Sequence, residues 1–209
     1  MNEITPPATF PYQPISPARR KRKQVLGAAG TVLGLAAGAF LGKWAVHAAL
    51  GGPEDAGRYK LVPPASFQGL ALQESGPRVD AIKQGQGTPK KGTTPVAVVY
   101  ADPSGTAQLV VSGAAGTFTD DDPGAALTRG LHDMGVNGAV TEDSGAPAGG
   151  AMRCGTVPVG AEQLTMCMWA DHSSLVTVTV PVENKPVALD ALAAQTRALR
   201  GAMEVPAGS

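Results

Sequence analysis

The feature that most limits what this chain can become is an 18-residue run without a charge, Val25 to Gly42. It follows, after Gln24, five consecutive basic residues: Arg19, Arg20, Lys21, Arg22 and Lys23. As a helix rising ~1.5 Å per residue the run is about 27 Å long, close to the roughly 30 Å hydrocarbon core of a bilayer. Lys43 and Trp44 come next. Both types suit the far interface, where a lysine stem lies along apolar groups while its ammonium reaches the headgroups. The cationic flank places the N-terminus in the cytoplasm by the positive-inside rule. The reading is therefore a transmembrane helix over residues 25–50, with everything beyond it outside the cell. The competing reading is a secretory leader, cleaved after Val46-His47-Ala48 to release a soluble protein. The apolar run exceeds the roughly 7–15 residues of a usual leader core, which favours the anchor.

Within the span, Gly30, Gly34, Gly38 and Gly42 recur every fourth residue. That spacing lines one helix face with glycine and lets a second helix approach closely. A homo-oligomer or a membrane-protein partner is the expected consequence. With 27 glycines in the chain, simple abundance is the alternative.

The formal net charge is zero, but it is unevenly spread. Beyond residue 50 there are 11 Lys and Arg against 16 Asp and Glu. An acidic body with one basic block is not a nucleic-acid-binding profile, which spreads cations over a folded face. The bilayer, not nucleic acid, is the partner this composition suggests.

Residues 1–24 hold five prolines and little apolar material, so they are read as a disordered cytoplasmic tail. Residues 51–57 read as a linker, and residues 58–209 as an extracellular domain. In that domain Tyr59, Leu61, Phe67, Leu70 and Leu72 supply apolar anchors around Pro63-Pro64, and residues 82–95 read as a polar loop. A β-branched strand over residues 95–102 and TAQLVVSG beyond it suggest a hairpin. TDDDPGAALTRGLHDMG reads as a helix capped by Asp121 or Asp122, with Pro123 in its first turn and Gly135 at its end. Its apolar face is Ala126, Leu127, Leu131 and Met134. Strands are expected over 137–142, 151–159, 163–170 and 175–180. PVALDALAAQTRALRGAME closes the chain as an amphipathic helix carrying Leu189, Leu192, Leu199 and Met203. Two strands, a helix, four strands and a helix make an α+β domain, an antiparallel sheet with two packed helices.

Both cysteines lie in RCGTVPVGAEQLTMCMWADHSS, residues 153–174. A two-residue turn at Gly160-Ala161 pairs Val159 with Glu162, Pro158 with Gln163, and Cys154 with Cys167. Counting from the turn, the cysteines fall on a non-hydrogen-bonded pair with Cα atoms ~4.5 Å apart, within disulfide reach. A structural disulfide is expected. A redox-active pair would favour Cys-x-x-Cys at a helix N-terminus. Trp169 shares the Cys167 face by parity and is expected to cover the disulfide, with Met166 and Met168 opposite.

Asp171, His172, Ser173 and Ser174 are consecutive, whereas a catalytic triad converges from different elements. A polar turn between two strands accounts for them, and no catalytic residue is assigned. Asp120, Asp121 and Asp122 lack the ligand spacing of a calcium loop, so no metal and no cofactor is expected.

The basic tail, the Gly/Ala-rich span, RYKLVPPASFQGL, and Cys154-Gly155 followed by Cys167-Met168-Trp169-Ala170-Asp171-His172 resemble the uncharacterised single-pass membrane proteins of high-GC actinobacteria. The resemblance covers most of the chain from Arg19 on. It implies a compartment and a lineage, and no activity.

The expected function is a membrane-anchored, non-enzymatic binding or accessory module of the cell envelope. The alternatives are an envelope enzyme or thiol-redox protein using Cys154, Cys167 and His172, and a secreted soluble protein. The glycine face has its own test: replacing Gly34 and Gly38 with Leu abolishes span self-association in a membrane two-hybrid assay, and unchanged association removes the idea.

Overall fold

The computed structural model describes residues 53–208. The expected tail, span, basic run and glycine face lie outside those residues, and among the described residues no helix is long and apolar enough to cross a membrane. The described part is α+β. Its strands are β1 (Tyr59–Leu61), β2 (Ser66–Phe67), β3 (Leu70–Gln73), β4 (Thr93–Ala101), β5 (Ala107–Gly116), β6 (Asn137–Glu142), β7 (Ala151–Val159), β8 (Glu162–Ala170), β9 (Ser174–Thr179) and β10 (Glu204–Pro206). Its helices are α1 (Pro77–Gln86), α2 (Pro123–Asp133) and α3 (Leu189–Met203).

Eight strands form one antiparallel sheet in the order β2-β3-β4-β5-β9-β8-β7-β6, and β1 pairs with β10 as a separate ribbon. Strand parity sends alternate residues to two cores. On one side Val99, Val110, Leu164, Met166 and Met168 pack under α1 and α2. On the other Tyr100, Val111, Met152, Trp169 and Val178 pack under α3 and β1. The result is three layers, with helices on both faces of the sheet.

The α2 helix forms as its sequence dictates. The Asp122 carboxylate accepts the Ala125 N–H at 2.9 Å, Pro123 occupies the first turn, and Ala126, Leu127 and Leu131 are buried while Met134 packs at the edge of the core. The β7–β8 hairpin has the expected register: Val159 faces Glu162, Pro158 faces Gln163, and Cys154 faces Cys167. Gly160 provides the positive φ of 67° that such a tight turn requires. Cys154 and Cys167 are disulfide-bonded with Cα atoms 4.1 Å apart. Both are fully buried in the core that holds Trp169, and Met166 and Met168 lie on the other face.

Three features differ from the sequence reading. Among the described residues there are three helices, not the two expected of the domain: α1 occupies part of the segment taken for a loop from Ile82 onward. It buries Val79 and Ile82, and Pro77 starts it, but apart from Ala81 its remaining residues are polar or glycine, so its buried apolar pattern is only two residues deep. The last helix stops at Met203, and Glu204–Pro206 turns away as β10 to pair with β1, fastening the two ends of the domain together. The segment read as a linker is folded in its described part. Residues 53–57 form a turn on the domain, where Gly57 N–H donates to the His172 carbonyl at 3.0 Å and Ser173 Oγ donates to the Asp55 carbonyl at 3.1 Å.

The disulfide closes a loop of sequence separation 13, which is worth about 3 kcal/mol through the unfolded chain. Reduction, or replacement of both cysteines with Ala, lowers unfolding free energy by at least about that amount in urea titrations. Equal stability with and without reductant contradicts a stabilising staple.

Candidate functional site

The polar end of the β7–β8–β9 region is built around the turn after Trp169. The Asp171 carboxylate accepts the N–H groups of Ser173 and Ser174, both at 2.7 Å, which closes the turn. Its other oxygen accepts from Arg200 Nη2 at 2.8 Å. Arg200 Nε donates to Glu204 at 2.9 Å, one helical turn on, and Nη1 donates to the carbonyls of Ser144 and Gly149, each at 3.1 Å. Trp169 Nε1 donates to Glu204 Oε1 at 2.6 Å and to Ser174 Oγ at 2.9 Å, and Ser174 Oγ donates in turn to Glu204. Gly150 permits this closeness, since a Cβ there would stand 2.6 Å from the Ala170 carbonyl oxygen.

The side chains of Arg200 and Glu204 are 1% and 0% exposed. A single guanidinium therefore serves two carboxylates in the interior. Burial beside Asp171 pushes the Glu204 carboxyl up to about 7, against the pull of Arg200, Ser174 and Trp169. The cluster is enclosed, so its chemistry is structural. It joins α3, the 171–174 turn and the 144–150 loop.

The Asp-His-Ser run is divided among separate contacts. His172 Nδ1 lies 2.7 Å from Asp55 Oδ1, and Nε2 lies 3.0 Å from the Asp120 carbonyl. Ser173 Oγ serves the Asp55 carbonyl and accepts the Tyr59 N–H at 3.2 Å. These contacts hold the 53–57 turn and the 120 loop to the sheet. Asp120 accepts the Asp122 N–H at 3.4 Å, and Asp122 caps α2. Among the described residues no group of three or more His, Cys, Asp or Glu is arranged to hold a metal ion.

The accessible concavity lies elsewhere. Along β4 the β3 strand reaches only Val99–Ala101, which leaves the first part of β4 with β5 as its single sheet neighbour. Pro95, which has no N–H to offer a second neighbour, occupies that half. Beside it opens a cleft of about 330 Å³ with Ala97 and Ala114 lining it under Gln86, Lys83 and Lys90. Gln86 Nε2 reaches the sheet, donating to the Val96 carbonyl at 2.8 Å, to Ser112 Oγ at 3.0 Å and to the Gly113 carbonyl at 3.3 Å. A second, smaller cleft of about 240 Å³ lies at the opposite end of the sheet, between Gln163 and Lys185.

No protein-family model matches the chain, and no curated protein matches it significantly.

Of the residues singled out from the sequence, the structure pairs Cys154 with Cys167, buries Trp169 in the same core and scatters the Asp-His-Ser side chains. Sequence reasoning missed the buried Arg200 and Glu204 and the lysine-flanked cleft. The Arg200 and Glu204 pair had one readable signal: opposite charges four residues apart, with Arg200 directly following Leu199 on the buried side of the helix.

The Glu204 shift fixes a sign. Its carboxyl rises from 4.5 to about 7 on folding, so the folded state holds the proton more tightly. The stability this confers is complete below about pH 4.5 and is lost as pH rises through about 7, by up to about 1.4 kcal/mol per pH unit. Denaturant midpoints of the native chain fall across that window, and those of Glu204→Gln fall less. Parallel profiles would show that Glu204 is not the titrating group.

Proposed function

We propose that the protein is a single-pass membrane protein whose residues 25–50 cross the bilayer. The domain from residue 53 then stands outside the cell as a binding or accessory module of the envelope. The observation that carries this reading is the buried Cys154–Cys167 disulfide, since such bonds persist in oxidising compartments. The uncharged segment behind a basic block supplies the tether and the direction. The folded turn at 53–57 supports it too, because the domain begins three residues after the end of the apolar segment.

Binding is favoured over catalysis by the arrangement of the polar groups. Asp171, Arg200 and Glu204 are enclosed, and both ring nitrogens of His172 are engaged by protein acceptors. A thiol-redox role is less well supported, because both sulfurs are buried in the core with Trp169. Thiol exchange needs access for an attacking thiolate.

A single exposed reporter tests the topology, since the native cysteines are paired and buried. In Lys185→Cys, an impermeant maleimide labels intact cells, and the labelled chain stays with the membrane through a carbonate wash. Labelling only after lysis would put the domain inside and sink the reading. Labelled chain shortened to begin near Ala49 in the medium would establish the secreted alternative.

A further inference from the structure

The open part of β4 aims its main-chain groups outward. At the end of the β4–β5 ladder Thr93 pairs with Gly116, and the Gly116 N–H points away from β4, to the Ser173 carbonyl at 2.9 Å. Thr93 and Gly116 therefore exchange no hydrogen bonds, and in an antiparallel ladder every second pair is of that kind. The Pro95–Ala114, Ala97–Ser112 and Val99–Val110 pairs follow in the same class, with no register shift between them. The N–H and C=O groups of these β4 residues thus point away from β5. Those of Val99 meet Gln73 of β3, and the Thr93 N–H meets the Lys90 carbonyl at 3.0 Å. Between them, the Pro95 carbonyl and both main-chain groups of Ala97 have no hydrogen-bond partner among the described residues. Ala97 is only 7% exposed, and main-chain groups so far out of water are nearly always paired.

The cleft lies along the same residues. Pro95, Ala97 and Ala114 line it together with Gln86 and Pro89. Partners directly opposite each other on neighbouring strands share a sheet face. A residue set opposite Ala97 on its open side would therefore turn its side chain onto the face of Ala97 and Ala114, which is where the cleft is. The volume of about 330 Å³ is ample for one large side chain, and the lining there is apolar and small. An N–H and a C=O to be met by one residue, with a hollow for that residue's side chain, is the pattern an extended polypeptide satisfies.

We propose that an extended segment of a partner polypeptide adds itself to β4, on the antiparallel line that β3 abandons. One residue exchanges both hydrogen bonds with Ala97 and puts an apolar side chain into the cleft. The residue two positions on donates to the Pro95 carbonyl and receives nothing back, because Pro95 has no N–H. The opening ends at Val99, where β3 begins, and at Thr93, which is already bonded. It fits a loose chain segment and not the edge of a second folded sheet, a pairing that an edge proline also discourages. The inference rests on the binding-module reading and gives it a ligand class.

The probes are capped pentapeptides, Thr-Thr-Xaa-Thr-Thr, with Leu or Asp at the centre, titrated to millimolar concentration against the full chain in detergent. Hydrogen exchange at single-residue resolution reports the Ala97 amide. The Leu peptide slows that exchange about tenfold at saturation, and binds roughly tenfold more tightly than the Asp peptide because its side chain leaves water. N-methylation of the central Leu removes the donor to Ala97 and abolishes the effect. N-methylation of the next residue, whose N–H points away from β4, leaves it in place. This alternation along the peptide separates strand pairing from simple filling of an apolar hollow, and the protein itself is unaltered throughout. No protection of Ala97 by the Leu peptide, or equal protection by both N-methylated forms, would overturn the proposal. The Lys185→Cys labelling reports the envelope reading separately, so either can fail while the other stands.

Discussion

One guanidinium holds the domain's closing arrangement. Arg200 bonds Asp171, Glu204 and the carbonyls of Ser144 and Gly149, so three segments distant in sequence, the end of α3, the 171–174 turn and the 144–150 loop, meet on one side chain. Desolvating an arginine and two carboxylates is expensive, and their mutual attraction repays it only with good geometry and satisfied partners. Here most donors and acceptors are used: Asp171 takes two backbone N–H groups, and Glu204 takes Trp169 and Ser174. Net stability is therefore the wrong measure of the cluster. An apolar core of similar volume could be as stable, but it would not dictate where α3 lies along the sheet. Fixing α3 fixes the start of β10, and β10 against β1 closes the layer that covers Trp169 and the disulfide.

The central hairpin was legible because its constraints are local and redundant. A two-residue turn sets the register, the register sets parity, and parity assigns Cys167 and Trp169 to one core and Met166 and Met168 to the other. Helix α2 was legible for a similar reason: cap, proline and apolar face agree within a dozen residues. The β1–β10 ribbon was not, since Tyr59 and Pro206 are brought together by everything between them and by nothing in either short segment. Helix α1 was hidden by its own composition. Arg200 was hidden by convention, because arginine in an amphipathic helix reads as a solvated residue until its partners are known. The span, the basic run and the glycine face remain sequence readings, and they belong to the proposal and not to the fold.

The helices cover the sheet incompletely. On the face beneath α1 and α2, β5 and β9 carry Ser112, Ala114, Thr177 and Thr179 where an equally buried sheet would take valine or isoleucine. Small and hydroxylated residues suit strands overlain by few side chains, because they limit the void that missing neighbours would leave. The β3 strand ends early on β4, and the two shortfalls meet at Pro95 and Ala97. An open place in a three-layer fold arises there from strand and helix lengths alone. The lysines give that place a chemical character.

A free linker of seven residues before Arg58 would leave the entry of the chain into the domain unfastened. The contacts of residues 53–57 remove most of that freedom. Asp55 bonds His172 through its side chain and Ser173 through its carbonyl, and Gly57 bonds the His172 carbonyl. Those partners lie directly between Asp171 and Ser174, so the turn that receives the tether is the one Arg200 braces from within. The buried cluster and the docked turn thus form one continuous set of contacts from residues 53–57 through the 171–174 turn to α3. The Asp-His-Ser run that resembles catalytic machinery serves to fasten residues 53–57 to the sheet.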